Sequence, residues 1–181
     1  ATVRSDAAED AAGNKSLAST STDNLVTYDA PVTDPRITAT LTSTKHKLRG
    51  WYRTPVTVTF TCTPGTGTLT CPAPVTLRRN GADQSVTRTV TASDGGTATV
   101  TVRGIDIDRK KPKVRATGVR KGATYNSLRT VRCRATDQHS GIHRCKVVTR
   151  GPHANGKVRY RLVAVDVGGN RSVLRGWYRL R

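Results

Sequence analysis

The sequence has no methionine and a single phenylalanine, and aromatic residues make up 4% of its 181 residues. No apolar run approaches the roughly 18 to 20 residues that a membrane-spanning helix needs, and no leader pattern stands at its start. We therefore expect a processed or trimmed chain without a transmembrane segment. Because large apolar side chains are scarce, we expect a core of small aliphatic residues in thin layers.

A helical stripe of three turns is also missing, whereas alternation of apolar and polar residues recurs along the chain. The 29 threonines and 20 valines dominate the composition, and both residue types are β-branched and suit strands. The segment 55–62 places Val56, Val58, Phe60 and Cys62 on one face. Short runs of this kind, separated by glycine-containing turns, predict an all-β protein built from small sandwiches.

Closely spaced Cys-x-x-Cys pairs, which a zinc site usually contains, are absent. The cysteines are Cys62, Cys71, Cys133 and Cys145, and their spacing favours the pairs Cys62–Cys71 and Cys133–Cys145 among the possible arrangements. Each disulfide would close a short loop and stabilise the fold by about 2–3 kcal/mol. Disulfides persist in oxidising compartments, so we predict an extracytoplasmic protein.

The cysteine pairs recur at a nearly fixed interval, 71 residues from Cys62 to Cys133 and 74 residues from Cys71 to Cys145. Three similar turn sequences accompany them, at 10–16, 92–97 and 166–172. This internal repeat predicts a first module, a second module and a partial module before them. The predicted bounds are 1–34 for the end of a preceding module or a strand-donating segment, 35–108 for the first module and 109–181 for the second.

The segment from Pro112 to Asn170 carries a longer motif. It reads Pro-x-Val, Gly-Ala-Thr-Tyr, Cys-x-Ala-Thr-Asp-x-x-Ser-Gly-Ile-x-x-Cys and Tyr-x-x-x-Ala-x-Asp-x-x-Gly-Asn. This pattern resembles the immunoglobulin-like repeats of secreted actinobacterial proteins, which the second module matches more closely than the first. The resemblance implies tandem immunoglobulin-like β-sandwich modules that act as stalks or accessory modules beside hydrolase or adhesin domains.

Acidic residues are scarce in the second module. Residues 109–181 hold twenty lysines and arginines against two aspartates, whereas 49–108 hold six against four acids and 1–48 hold five against six. Basic and apolar residues alternate in its strands, which predicts that the basic ones share one outer sheet face or its margins. The predicted polyanion-binding residues are Lys113, Arg115, Arg132, Arg134, Lys157, Arg159 and Arg161.

Such a face attracts teichoic acid, acidic polysaccharide, nucleic acid or anionic lipid. A solvated cationic surface is the alternative, but mixed charges would keep the module soluble without self-repulsion. The sequence contains neither a recognition helix nor a ladder of stacking aromatics, so readout of base sequence is not expected. We therefore predict contact with an anionic polymer that does not depend on its sequence.

The sequence Arg-Gly-Trp-Tyr-Arg occurs at 49–53 and again at 175–179. Its aromatic residues are Trp51, Tyr52, Trp177 and Tyr178. They could form a platform for a sugar or a partner, but the favoured interpretation is that each tryptophan caps a core at a module junction. In the first module this motif stands near the start, so its second copy at the end of the chain favours head-to-tail assembly. In such an assembly, residues 24–28 add to another molecule's sheet edge.

Asp137 and Asp166 lie in turn sequences, where a carboxylate accepts hydrogen bonds from backbone amides nearby. We favour this capping role over calcium binding, which needs several converging oxygens. His139 and His143 have the spacing of a metal pair on a helix, but they lie in a Ser-Gly turn, which does not favour a metal.

Catalytic motifs are missing, including the Gly-x-Ser-x-Gly elbow, a phosphate-binding glycine loop and His-Glu-x-x-His. The nearest carboxylate pair, Asp106 and Asp108, falls in the apparent linker between the modules. We therefore expect a non-enzymatic, cofactor-free and metal-free cell-surface protein with a structural or adhesive role. The alternatives are a soluble protein that binds extracellular DNA or acidic glycan, and an accessory region of a larger secreted hydrolase.

Overall fold

In a computed structural model, residues 9–15 and 31–181 are described, and they contain twelve β-strands and no helix. The all-β prediction is therefore confirmed for the described part of the chain. The chain has two compact units, Ala1–Val32 and Thr33–Arg181. Among the described residues, no helix is long and apolar enough to cross a membrane.

The first six strands form two three-stranded sheets, ordered β1-β3-β4 and β2-β6-β5. They are β1 (Arg36–Ser43), β2 (Trp51–Tyr52), β3 (Val56–Thr63), β4 (Val75–Leu77), β5 (Gly81–Thr91) and β6 (Thr97–Ile107). Alternate residues of both sheets are buried in one shared core, so the sheets pack face to face. The buried core residues are Ile37, Val56, Val58, Phe60, Val86, Val90, Ile105 and Ile107. We term these six strands the first strand group.

The last six strands, the second strand group, form sheets ordered β7-β9 and β10-β11-β12-β8. They are β7 (Lys113–Thr117), β8 (Thr124–Tyr125), β9 (Arg132–Thr136), β10 (Ile142–Arg150), β11 (Lys157–Asp166) and β12 (Arg171–Leu180). A separate core lies between these two sheets, with Val131, Val158, Tyr160, Leu162 and Tyr178 buried.

The two groups differ in the pairing of their fourth strand. In the first group β4 pairs with β3, whereas in the second group β10 pairs with β11 instead. This difference gives the second group a four-stranded sheet with a broad outer face.

Both predicted disulfides are confirmed, with Cα–Cα distances of 5.6 Å for Cys62–Cys71 and 5.7 Å for Cys133–Cys145. The first joins β3 to the connection that precedes β4. The second joins β9 to β10 and therefore ties together the two sheets of the second group.

The three turn sequences that repeat along the chain have one hydrogen-bond pattern. In each, the first residue's N–H donates to the fifth residue's carbonyl, and the fourth residue's N–H donates to the first residue's carbonyl. The fourth residue is Gly13, Gly95 or Gly169, with φ of 84°, 89° and 87°. Glycine suits this position because side chains disfavour positive φ. The turns at 10–14, 92–96 and 166–170 are therefore structurally equivalent, as the sequence repeat predicted.

The turn at 166–170 lies against the first strand group. Arg53 Nη1 donates to the Gly169 carbonyl at 3.3 Å, and Asn170 Nδ2 donates to the Asp108 carbonyl at 3.0 Å. The expectation of a linker at 106–108 is wrong, because Asp106 lies within β6 and Asp108 is fully buried directly after it. The Asp108 N–H donates to the Tyr52 carbonyl at 2.8 Å, so this stretch is part of the packed structure.

Gly176 in β12 lies directly opposite Tyr160 in β11, and a Cβ added there would overlap the Tyr160 ring. We expect Gly176→Ala to lower the free energy of unfolding by about 1–3 kcal/mol through overpacking. Urea denaturation measures this loss. In a Tyr160→Val background the same substitution should cost much less, and an equal cost in both backgrounds would contradict the steric explanation.

Candidate polyanion-binding surface

The seven predicted basic residues lie on two sheets. The members Lys113, Arg115, Arg132 and Arg134 belong to the β7-β9 sheet, and Lys157, Arg159 and Arg161 belong to β11 in the four-stranded sheet. The prediction that they share one face is wrong, because both sheets turn their apolar residues to a common core and their basic residues to opposite outer surfaces. The predicted alternation is present in β11, where Val158 and Leu162 are buried and Arg159 is exposed.

Strand register brings further basic residues beside those of β11. Across the four-stranded sheet, Arg159 lies between Arg150 and Trp177, and Arg161 lies between Val148 and Arg175. Lys157 lies opposite Arg179. We term this outer surface the basic face; its charged residues are Arg150, Lys157, Arg159, Arg161, Arg175 and Arg179.

Sequence reasoning missed Arg150, Arg175 and Arg179 as site residues. The signal was present in β12, where Val173, Arg175, Trp177 and Arg179 alternate with inward-facing residues. Their neighbours across the sheet follow from strand order, which local alternation does not specify.

Like charges stand directly opposite one another on the basic face. The cross-strand pairs are Arg150 with Arg159, Arg161 with Arg175, and Lys157 with Arg179. Such pairs are unfavourable. The only acidic residues of 109–181 are Asp137, in the β9–β10 connection, and Asp166, the last residue of β11, and neither lies opposite a member of these pairs. In the described part of the chain, the face therefore concentrates positive charge without an acidic residue in these cross-strand pairs, which favours an external anion.

Trp177 stands among these cations. Its half-buried ring has Lys157 Nζ at 4.7 Å and Arg179 Cζ at 5.8 Å from the centroid, both within cation–π range. A groove of about 550 Å³ runs over this region, and Val148, 52% exposed, contributes an apolar part of its wall. The groove also contacts Lys121, Arg150, Lys157, Arg159, Tyr160, Arg161, Arg175, Gly176 and Trp177. Its residues offer both charge and an aromatic surface.

The two Arg-Gly-Trp-Tyr-Arg copies are not structurally equivalent. Trp51 and Tyr52 form β2, which pairs in parallel with β6 near the second strand group, whereas Trp177 and Tyr178 lie inside β12. The prediction that this motif marks the start of a module is therefore wrong for the second copy, which lies in the last strand. Trp177 lies on the outer face instead of at the junction of the two groups.

Tyr178 faces the core and is 1% exposed. Its hydroxyl donates to the Arg129 carbonyl and accepts from the Arg129 N–H, each at 3.2 Å. Tyr178 therefore anchors the connection before β9 and is not available to a ligand.

The first strand group provides a natural comparison. On its β5–β6 hairpin, threonine hydroxyls pair across the strands, Thr87 with Thr101 at 3.0 Å and Thr89 with Thr99 at 2.8 Å. These neutral pairs occupy the outer side of a hairpin whose turn matches that of β11–β12. The architecture therefore does not require basic residues at such positions.

The turn aspartates make the backbone contacts that the sequence predicted. Asp137 Oδ1 accepts from the N–H groups of His139, Ser140 and Gly141 at 3.0, 3.1 and 3.2 Å, and Asp166 Oδ1 accepts from the Asn170 N–H at 2.7 Å. Burial, reinforced by the Asp108 and Asp137 carboxylates, raises the pKa of Asp166. His143 is exposed on β10. Among the described residues, neither His139 nor His143 belongs to a group of three or more side chains that could bind one metal ion.

The segment predicted to donate a strand, 24–28, lies outside the described residues. No protein-family model, curated protein or solved structure matches this chain. The immunoglobulin-like assignment therefore stays a prediction, based on the motif between Pro112 and Asn170.

Proposed function

We propose that this chain is a non-enzymatic, extracellular structural or adhesive protein of tandem immunoglobulin-like modules, 35–108 and 109–181. In this proposal residues 1–34 are the end of a preceding module or a strand-donating segment. The basic second module contacts an anionic polymer of the cell wall or matrix. Copies of the protein join head to tail by strand addition. For this, β10 at the edge of the four-stranded sheet offers a side with which none of the described strands pairs.

The observation that carries the proposal is the clustering of like charges around Trp177 on the basic face. Neighbouring strands are about 4.8 Å apart, and residues on one side of a strand recur about every 6.8 Å. The face therefore presents a two-dimensional array of cations, which suits a linear polymer with repeated anionic groups better than a single small anion. Five of its six charged residues are arginines, whose planar guanidinium groups match phosphate and carboxylate geometry.

Two further features support the extracellular, non-enzymatic part of the proposal. Both disulfides are of the kind that persists in oxidising compartments. Of the two aspartates in 109–181, each already accepts backbone hydrogen bonds in a turn, and neither lines the groove over the basic face. Among the residues that the structure describes, the groove therefore lacks a carboxylate for acid–base chemistry, whereas its cations suit binding.

The test is binding of the full chain to duplex DNA, wall teichoic acid and an acidic polysaccharide at about 50 mM and about 200 mM salt. Four to five phosphate contacts would give a log–log salt slope of about −4 for duplex DNA. Preference for teichoic acid or polysaccharide supports the structural role, and preference for DNA supports the alternative of a soluble DNA-binding protein. The proposal would be overturned if no polymer binds at the lower salt concentration, or if the affinity is the same at both salt concentrations.

A further inference from the structure

Three aspartates meet where the two strand groups touch. Asp108 directly follows β6, Asp137 lies in the β9–β10 connection, and Asp166 ends β11. Each offers a carboxylate oxygen, and these oxygens lie within 4.8 Å of one another. Asp108 and Asp166 are fully buried. Three acidic groups from distant parts of the sequence thus converge in a largely buried place.

The hydrogen bonds of this cluster leave one buried oxygen unsatisfied. Asp108 Oδ1 accepts from the Lys110 N–H at 3.0 Å, and Asp108 Oδ2 accepts from the Ser140 N–H at 3.2 Å and from its hydroxyl. Asp166 Oδ1 accepts from the Asn170 N–H, but Asp166 Oδ2 is buried without a partner in the described part of the chain. A buried carboxylate oxygen without a donor is costly and points to a missing positive partner.

Among the residues that the structure describes, no side chain donates a hydrogen bond to Asp166 Oδ2. Arg53, which lies against the same turn, donates to the Gly169 carbonyl instead. The charged groups that converge on Asp166 in this cluster are the Asp108 and Asp137 carboxylates, which carry the same sign of charge. Lys110 contributes its backbone N–H to Asp108. Three carboxylates within this distance repel one another strongly when water is excluded, and a bound cation would offset this repulsion.

We propose that Asp108, Asp137 and Asp166 form a Ca²⁺ site that clamps the last strand of the first group to the second group. All three donors are oxygens, which hard divalent cations prefer. With Ca–O bonds of about 2.3–2.6 Å, the oxygens that bind one Ca²⁺ are at most about 5 Å apart. The three carboxylate oxygens, which lie within 4.8 Å of one another, satisfy this limit.

Ser140 fixes the geometry of this site. Its hydroxyl donates to Asp108 Oδ2 and accepts from the Gly168 N–H at 3.2 Å. It therefore connects the carboxylate of the first group to the turn that carries Asp166. Because only three protein carboxylates contribute, we expect an affinity typical of extracellular modules, with Kd on the order of 0.1–1 mM.

The experiment uses the full chain, freed of divalent ions with a chelator and kept without any polymer. Isothermal titration calorimetry with CaCl₂ should detect one site, and Ca²⁺ at about ten times Kd should raise Tm by about 3–6 °C. The Asp166→Asn variant keeps an acceptor for Asn170 but removes a charge. It should lose both the heat and the shift, and without Ca²⁺ its Tm should equal or exceed that of the wild type.

Asp94→Asn is the matched control, because Asp94 lies in the equivalent turn of the first group and is exposed. It should keep the full response to Ca²⁺. If Asp166→Asn does not fold, Asp137→Asn tests the same prediction. The proposal is overturned if the wild type gives neither heat nor a Tm shift at about 10 mM Ca²⁺, ten times the weakest expected Kd. It is also overturned if a folded Asp→Asn variant of the cluster responds like the wild type, or if Mg²⁺ binds as tightly as Ca²⁺.

Discussion

Replacing Arg159, Arg161 and Arg175 together by threonine is expected to lower the affinity for an anionic polymer by about two to three orders of magnitude at about 0.1 M salt. These arginines lie in the central two strands of the four-stranded sheet. Each lost phosphate contact should also reduce the log–log salt slope for duplex DNA by about 0.9. Binding titrations of the full chain over a range of salt concentrations measure both quantities.

The same variant should be as stable as the wild type or more stable. It removes the repulsion between Arg161 and Arg175, which lie directly opposite each other. Threonine suits strands, and threonine pairs already occupy the outer side of the β5–β6 hairpin. Thermal unfolding without polymer measures this effect, so a loss of binding cannot be attributed to unfolding.

The matched control carries the same change in charge on the other sheet of the second group. Replacement of Arg115, Arg132 and Arg134 by threonine alters β7 and β9 and leaves the basic face intact. We expect this control to lose at most about tenfold in affinity, through the weaker long-range field. Equal losses in the two triple variants would mean that net charge, and not the basic face, determines binding.

Removing the Cys133–Cys145 disulfide by double substitution to alanine is expected to lower the free energy of unfolding by about 3 kcal/mol. The bond closes a loop with a sequence separation of 12 and joins the two sheets of the second group. Without it the unfolded chain gains conformational freedom, and the sheets are held by packing alone. Urea denaturation of the oxidised wild type and of the variant measures the loss.

The Cys62–Cys71 double substitution is the comparison. Its loop has a sequence separation of 9, so chain entropy alone predicts nearly the same loss. If the free energy of unfolding falls further without Cys133–Cys145, the difference measures the extra stabilisation gained by linking two sheets. A loss below about 1 kcal/mol in both variants would contradict the loop-closure explanation.

Local features of the fold were predictable from the sequence. The alternation in β3 identified Val56, Val58 and Phe60 as core residues, because period two alone decides which side of a strand is apolar. The short spacing of the cysteines gave the correct pairs. The repeated turns were recognisable because a glycine with positive φ and a reciprocal pair of backbone bonds constrain their sequence.

Features that depend on pairing between distant segments were not predictable in this way. Alternation assigned Arg159 and Arg161 to an outer surface, but only the register with β10 and β12 places Arg150 and Arg175 beside them. The separation of Arg115 from this surface follows from strand order as well. Asp108 looked like a linker residue, because its burial depends on contacts with Ser140 and Asn170 from the second group.

The most direct test of the basic face is an NMR titration of the ¹⁵N-labelled full chain with a short anionic oligomer. The protein has two tryptophans, so its two indole N–H signals report on Trp177 within the basic face and on Trp51 near the junction of the strand groups. We expect the Trp177 signal to shift progressively and the Trp51 signal to stay in place. Binding detected by calorimetry with an unchanged Trp177 signal, or with a shift confined to Trp51, would contradict the assignment of the anion to this surface.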